Sequence, residues 1–144
     1  MTPTPLIIPP LRRLYDFLDP IAFTVLRVLA GLMMMQFGYA KLFGAGDISR
    51  DIAHMQNLGL EPAQFWAYFV VGIECFAAAG LILGLLTRPC AVALTILVSV
   101  MLVSVLIPRG EGYQLGALWF GAFAYFAVKG GGPISVDRLI GREF

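Results

Sequence analysis

Four runs of apolar residues dominate this chain, at about Ile21 to Phe43, Phe65 to Leu86, Ala91 to Ile107 and Tyr113 to Val128. Each is near the roughly 17 to 25 residues that a helix needs to cross the hydrocarbon core of a bilayer. In lipid every backbone N–H and C=O must be satisfied within the protein, and a helix does this inside one segment. The prolines punctuate the runs. Pro20, Pro62 and Pro89 stand just before the first three, where a missing N–H does no harm, and Pro108 closes the third. The pattern predicts an all-α fold, an integral membrane bundle of four transmembrane helices forming one domain over residues 1–144.

Composition excludes a soluble domain. Of 144 residues 59% are hydrophobic and only 13% charged, whereas a soluble surface of this size calls for about 25%. The lipid bilayer is therefore the expected partner. A net charge of +1 without a basic tract speaks against nucleic acid. The N-terminus carries no signal-peptide pattern: Leu6, Ile7 and Ile8 make too short an apolar patch, and Pro9 and Pro10 end it. The first membrane segment is expected to stay in the mature protein.

Of nineteen charged residues only Arg27 and Glu74 lie well inside a run. Arg12, Arg13, Arg88, Lys129, Arg138 and Arg142 fall on one side, and Lys41, Arg50 and Arg109 on the other. The excess of six over three predicts that both termini face the cytoplasm. The connection around Thr87, Arg88 and Pro89 is so short that the helices it joins must be antiparallel neighbours. The first connection, Gly44 to Gln64, is the long one. Its Ile48, Ile52, Met55 and Leu58 recur at helical spacing, with Asp47, Arg50, Asp51 and Gln56 elsewhere, which predicts an amphipathic surface helix at about 47–58.

Glu74 stands in FVVGIECFAAAGLILGLLTRPCA, where an ionised carboxylate costs about 2.5 to 3.5 kcal/mol on insertion scales. Such a residue calls for a partner or a task. On the first run Arg27 shares a helical face with Gly31, Met34, Gly38 and, one turn on, Lys41 or Leu42. Counted from the ends of the apolar runs at about 1.5 Å per residue, Arg27 lies roughly 10 Å deep and Glu74 roughly 18 Å. Long side chains can lean across that difference, so an Arg27 to Glu74 ion pair between the first two spans is expected. It is either a pin fixing which helices pack together or part of a site, as a proton relay or the binding point of a quinone carbonyl. Gln36, Tyr39 and Lys41 near the outer end of the first run are weaker candidates for holding a polar headgroup.

Other chemistry-bearing residues read as structural. His54, the only histidine, cannot make a metal site alone and is expected to be a solvated loop residue; no metal centre is expected. Met33 to Met35 point in three directions on a helix, Trp66 and Trp119 suit interfaces or packing, and Cys75 and Cys90 lack a CxxC spacing. Gly80 and Gly84, and Gly112, Gly116 and Gly121, suit close helix packing. Neither a hydrolase triad, a phosphate loop nor a histidine cluster appears, so no complete active site and no catalytic residue can be named.

Three stretches, RVLAGLMMMQFGYAKLFG at 27–44, IECFAAAGLILGLLTRPCAVAL at 73–94 and GGGPISVDRLIG at 130–141, resemble the DoxX family of small four-helix bacterial membrane proteins. They correspond to that family's Arg, Gly and Lys pattern in its first helix, its glutamate and glycine pattern running into a Gly-Leu-Leu-Thr-Arg turn, and its glycine, serine and aspartate tail. The family is named after a subunit of a thiosulfate:quinone oxidoreductase, and the resemblance implies a bacterial inner-membrane protein in or beside quinone-linked redox or oxidative-stress assemblies. It places Arg27, Lys41, Glu74, Arg88 and Asp137 at the family's polar positions and supplies no catalytic residue. Residues and resemblance together predict an accessory or anchoring subunit of a redox complex, with a polar pocket for a quinone. Two other classes compete: a small proton-coupled carrier titrating at Glu74, against which stand the few helices and the lack of a proline-broken span, and a structural membrane interaction module.

Overall fold

The computed structural model describes residues 11–44, 47–110 and 112–141, which form helices joined by turns, bends and short irregular stretches, with no strand among them. Leu6 to Pro10 and Arg142 lie outside the described residues. Helix α1 runs Leu11–Phe43, α2 Ile48–Asn57, α3 Ala63–Leu83 and α4 Thr87–Met101. A π-helical segment, Leu102–Leu106, carries α4 into the short α5, Ile107–Arg109; α6 (Tyr113–Lys129) and α7 (Val136–Ile140) follow. Three rods are long and apolar enough to cross a membrane: α1, α3 and the continuous stretch Thr87–Arg109. At 17 residues α6 is shorter.

The long helices pack in the order α1, α3, α4, α6. The ring closes where Phe23 of α1 meets Phe126 of α6 edge to face, 5.7 Å between centroids. Ala77, Ala78, Leu81, Ala91, Leu94, Val98, Phe123 and Phe126 form the core, with Ala30 and Met34 from α1. Small residues on α1, α3 and α4 let the backbones approach, as helix contact in lipid requires. Large apolar side chains point outward instead: Phe76 is 81% and Val128 82% exposed, which suits a lipid exterior and not water.

Glycine sets the register of α1 against α3. A Cβ at Gly31 would stand 2.7 Å from Ile82 Cγ1 and 3.0 Å from the Ala78 carbonyl; one at Gly38 would stand 2.7 Å from Cys75 Sγ. The buried residues of α1 are Arg27, Ala30, Gly31, Met34 and Gly38, the face that the spacing predicts. Helix α3 ends at Gly84, whose φ of 70° is left-handed. Leu85 N–H then donates to Gly80 O over 2.9 Å, a bond of the Schellman type.

Two features depart from the sequence reading. Pro20 lies inside α1, which begins ten residues earlier than the apolar run. Thr24 Oγ1 donates to Pro20 O over 2.7 Å in the turn that follows. The third run also ends in a π turn, where Ile107 N–H donates to Leu102 O. Pro108 comes directly after and has no N–H with which to restore an α-helical bond to the Ser104 carbonyl.

Candidate functional site

Glu74 is 3% exposed and its partner is Lys41, not Arg27. Lys41 Nζ lies 2.9 Å from Glu74 Oε1 and 3.3 Å from Asp51 Oδ2, so one ammonium joins α1, α2 and α3. The expected Arg27 to Glu74 pair is thereby corrected, and the reason is axial register. Arg27 is level with Gly84, where an added Cβ would run into its guanidinium. Glu74 is ten residues back along α3, roughly 15 Å away on the axis. Depths counted from Ile21 and Leu86 placed the two helices in one frame, but α1 is shifted towards the Gly84 end and starts at Leu11.

That shift leaves a step at the other end. Glu74 lies eleven residues into α3, whereas Lys41 lies two residues before the end of α1. Helix α3 thus overreaches α1 by about nine residues, roughly 14 Å. Helix α2 comes back across the step. Asp47 caps its N-terminus by accepting from Ser49 N over 2.9 Å, and the Ser49 hydrogen bonds hold the Asp47 carboxyl below its ordinary range. Ile48, Asp51, Ile52, His54 and Met55 are half-buried on the side facing the bundle.

A cavity of about 490 Å³ occupies the step, between α2, α3, α4 and the π segment. Its polar lining is Lys41, Glu74, Asp51, His54 and Ser104; Trp66, Phe69, Ile73, Ile96, Leu97 and Val100 line it with apolar surface, and the exposed Arg50 and Arg109 border it as well. A mostly apolar hollow with a few convergent polar groups is the usual form of a small-molecule site. His54 Nε2 and Ser104 Oγ are 3.3 Å apart. The Ser104 hydroxyl donates to Val100 O over 2.7 Å, so the histidine N–H is the donor in that contact. The contact ties α2 to the π segment, and π turns recur at functional sites. Glu74 Oε2 is buried and has no hydrogen-bond partner among the described residues.

The remaining candidates lie elsewhere. Gln36 and Tyr39 are exposed on α1, with Tyr39 against Phe43 at 5.2 Å between centroids, and neither lines the cavity. Arg27 is fully buried, and its Nη2 donates to Ile134 O over 2.9 Å. Asp137, buried in α7, accepts from Leu86 N at 2.7 Å, Thr87 N at 2.9 Å and Thr87 Oγ1 at 3.0 Å. It caps the start of α4 and holds Leu86 at its left-handed φ of 50°. Arg27 and Asp137 therefore lock the 130–141 segment onto the Gly84 turn, at the opposite end of α3 from the cavity. Arg88 is exposed in the first turn of α4.

The sequence reading missed Asp51, His54 and Ser104. The amphipathic pattern puts Asp51 on the polar face of the surface helix and His54 in solvent, whereas both are half-buried and line the cavity. A signal was available in the i, i+3, i+7 spacing of Asp51, His54 and Leu58, all of which line the cavity.

The chain matches the DoxX family model over residues 22–107, more than half of its length. It belongs to the DoxX family. The match takes in Lys41, Asp51, His54, Glu74 and Ser104, and ends before the 130–141 segment. No curated protein and no solved structure matches the chain.

Proposed function

We propose that this DoxX protein is a four-helix bundle of the bacterial inner membrane, with α6 as the fourth crossing and both termini cytoplasmic. In this reading it serves as an accessory or anchoring subunit of a quinone-linked redox or oxidative-stress complex. The cavity between α2, α3 and α4 is its ligand site. A quinone ring lies against Lys41 and Glu74, with its tail along Phe69, Ile73, Ile96 and Val100 towards lipid.

The observation that carries this reading is the cavity itself, about 490 Å³, lined by the Lys41–Glu74 ion pair and by aromatic and aliphatic side chains. A structural pin alone needs no hollow beside it. The quinone class comes from the family resemblance; the polar end and apolar body suit any molecule of that shape. Gln36, Tyr39 and Arg27 have no part in it.

Purification of the protein from native membranes in mild detergent, followed by solvent extraction of bound lipids, tests the reading. Quinone is expected in near-stoichiometric amount with the wild type and is lost from Ala93→Phe, because Ala93 of α4 lines the cavity and a ring there would fill it. A wild-type preparation free of quinone, and unable to take it up when it is added, would overturn the site.

A further inference from the structure

Five charged side chains line the cavity, and they divide into two groups. Lys41 lies 2.9 Å from Glu74 and 3.3 Å from Asp51, which accounts for both carboxylates. Arg50 on α2 and Arg109 on α5 are exposed, and neither has an ion pair among the described residues. Asp47, the other acid near Arg50, accepts from Ser49 N. The cavity therefore carries two uncompensated guanidinium groups, whose planar forks suit bidentate contact with a phosphate.

The lining is also long. Ala93, Leu97, Val100, Ser104 and Arg109 follow one stripe along α4, the π segment and α5. From Ala93 to Arg109 it measures roughly 24 Å at about 1.5 Å per residue. One leaflet of a bilayer has a hydrocarbon depth of about 15 Å, half of the core, so the stripe is long enough to take a lipid chain. Arg109 ends the membrane-length stretch Thr87–Arg109, and Arg50 lies outside all three such stretches. In a bilayer this puts both arginines at the level of the headgroups. Ile96 and Val100 are exposed, so the stripe opens sideways onto lipid; a soluble anion would use the arginines and leave it bare. We infer that the cavity binds an anionic membrane phospholipid, its headgroup on Arg50 and Arg109 and one acyl chain along Val105, Val100 and Ile96. The inference goes beyond the quinone reading, because it assigns the arginine end that the reading leaves unused, and it holds with or without a quinone at Lys41.

The test is tryptophan quenching by phospholipids with brominated chains, on the full chain in vesicles of ordinary phosphatidylcholine. The chain has two tryptophans: Trp119→Phe leaves Trp66, which lines the cavity, and Trp66→Phe leaves Trp119, which stacks on Phe123 of α6. Brominated phosphatidylglycerol and brominated phosphatidylcholine with the same chains are added as a minor fraction. Trp66 is expected to be quenched at mole fractions of phosphatidylglycerol about fivefold or more below those of phosphatidylcholine, from the attraction of each arginine for an anionic headgroup. Trp119 is expected to be quenched equally by the two. The preference at Trp66 should vanish in Arg50→Gln with Arg109→Gln, exposed positions where substitution is well tolerated. Equal quenching of Trp66 by both lipids, or a preference that survives loss of the arginines, would overturn the inference. So would the same preference at Trp119, which would mean general enrichment of anionic lipid around the protein. The comparison of Trp66 with Trp119 decides the matter even if the arginine variant does not fold. No quinone is present, so failure here leaves the quinone reading to its own test.

Discussion

Lys41 Nζ, near the end of α1, stands 2.9 Å from Glu74 Oε1, eleven residues inside α3. The two meet because Gly31 and Gly38 set α1 against α3 in a register that lets α3 overreach it. The same offset opens the step that α2 roofs. Ion pair, cavity and register are thus one arrangement, and each can be perturbed separately.

Removing one partner of the pair should cost more than removing both. Lys41→Met strands two carboxylates, one of them buried, and is expected to destabilise by about 3 to 5 kcal/mol. Lys41→Met with Glu74→Leu leaves no buried charge and should recover at least half of that loss. Thermal unfolding in detergent, arranged as a double-mutant cycle, checks it.

Two glycines in the membrane helices should respond oppositely to alanine. Gly38→Ala puts a Cβ 2.7 Å from Cys75 Sγ and 3.1 Å from Glu74 Cβ, pushing α1 off α3 at a cost of about 1 to 3 kcal/mol. Nothing lies within 4 Å of a Cβ at Gly72, so Gly72→Ala should be neutral or stabilising by up to about 1 kcal/mol through helix propensity. Unfolding midpoints of the two variants supply the comparison.

Asp137→Ala strips three hydrogen bonds from the start of α4. The expected loss is about 3 kcal/mol, localised to the Gly84 turn. Hydrogen exchange should quicken at the Leu86 and Thr87 amides and stay unchanged at α2, where the cavity lies.

The sequence made the helices and the inward face of α1 legible, because Arg27, Gly31, Met34 and Gly38 repeat at the helical period. It also singled out Glu74, together with Arg27, through the rarity of charge in apolar runs, and made Lys41 only a weaker candidate at the outer end of the first run. What it concealed was the pairing, since partner choice depends on how far one helix slides along another. That slide is decided by close contacts such as Gly38 on Cys75 and not by hydropathy, and the apolar run at Ile21 did not mark where α1 begins. His54 and Asp51 were hidden for a related reason: a short helix over a step in the bundle has the same amphipathic pattern as one lying on the membrane.

The central claim is that a quinone ring occupies the cavity beside Lys41 and Glu74. Trp66 lines that cavity, whereas Trp119 stacks on Phe123 at 5.5 Å in the core, so tryptophan fluorescence separates the two places. Titration with duroquinone should give saturable quenching in the wild type and in Trp119→Phe, and should lose its saturable part in Trp66→Phe and in the cavity-filling Ala93→Phe. Saturable quenching that persists in Trp66→Phe and Ala93→Phe, or its absence from the wild type, would contradict the account.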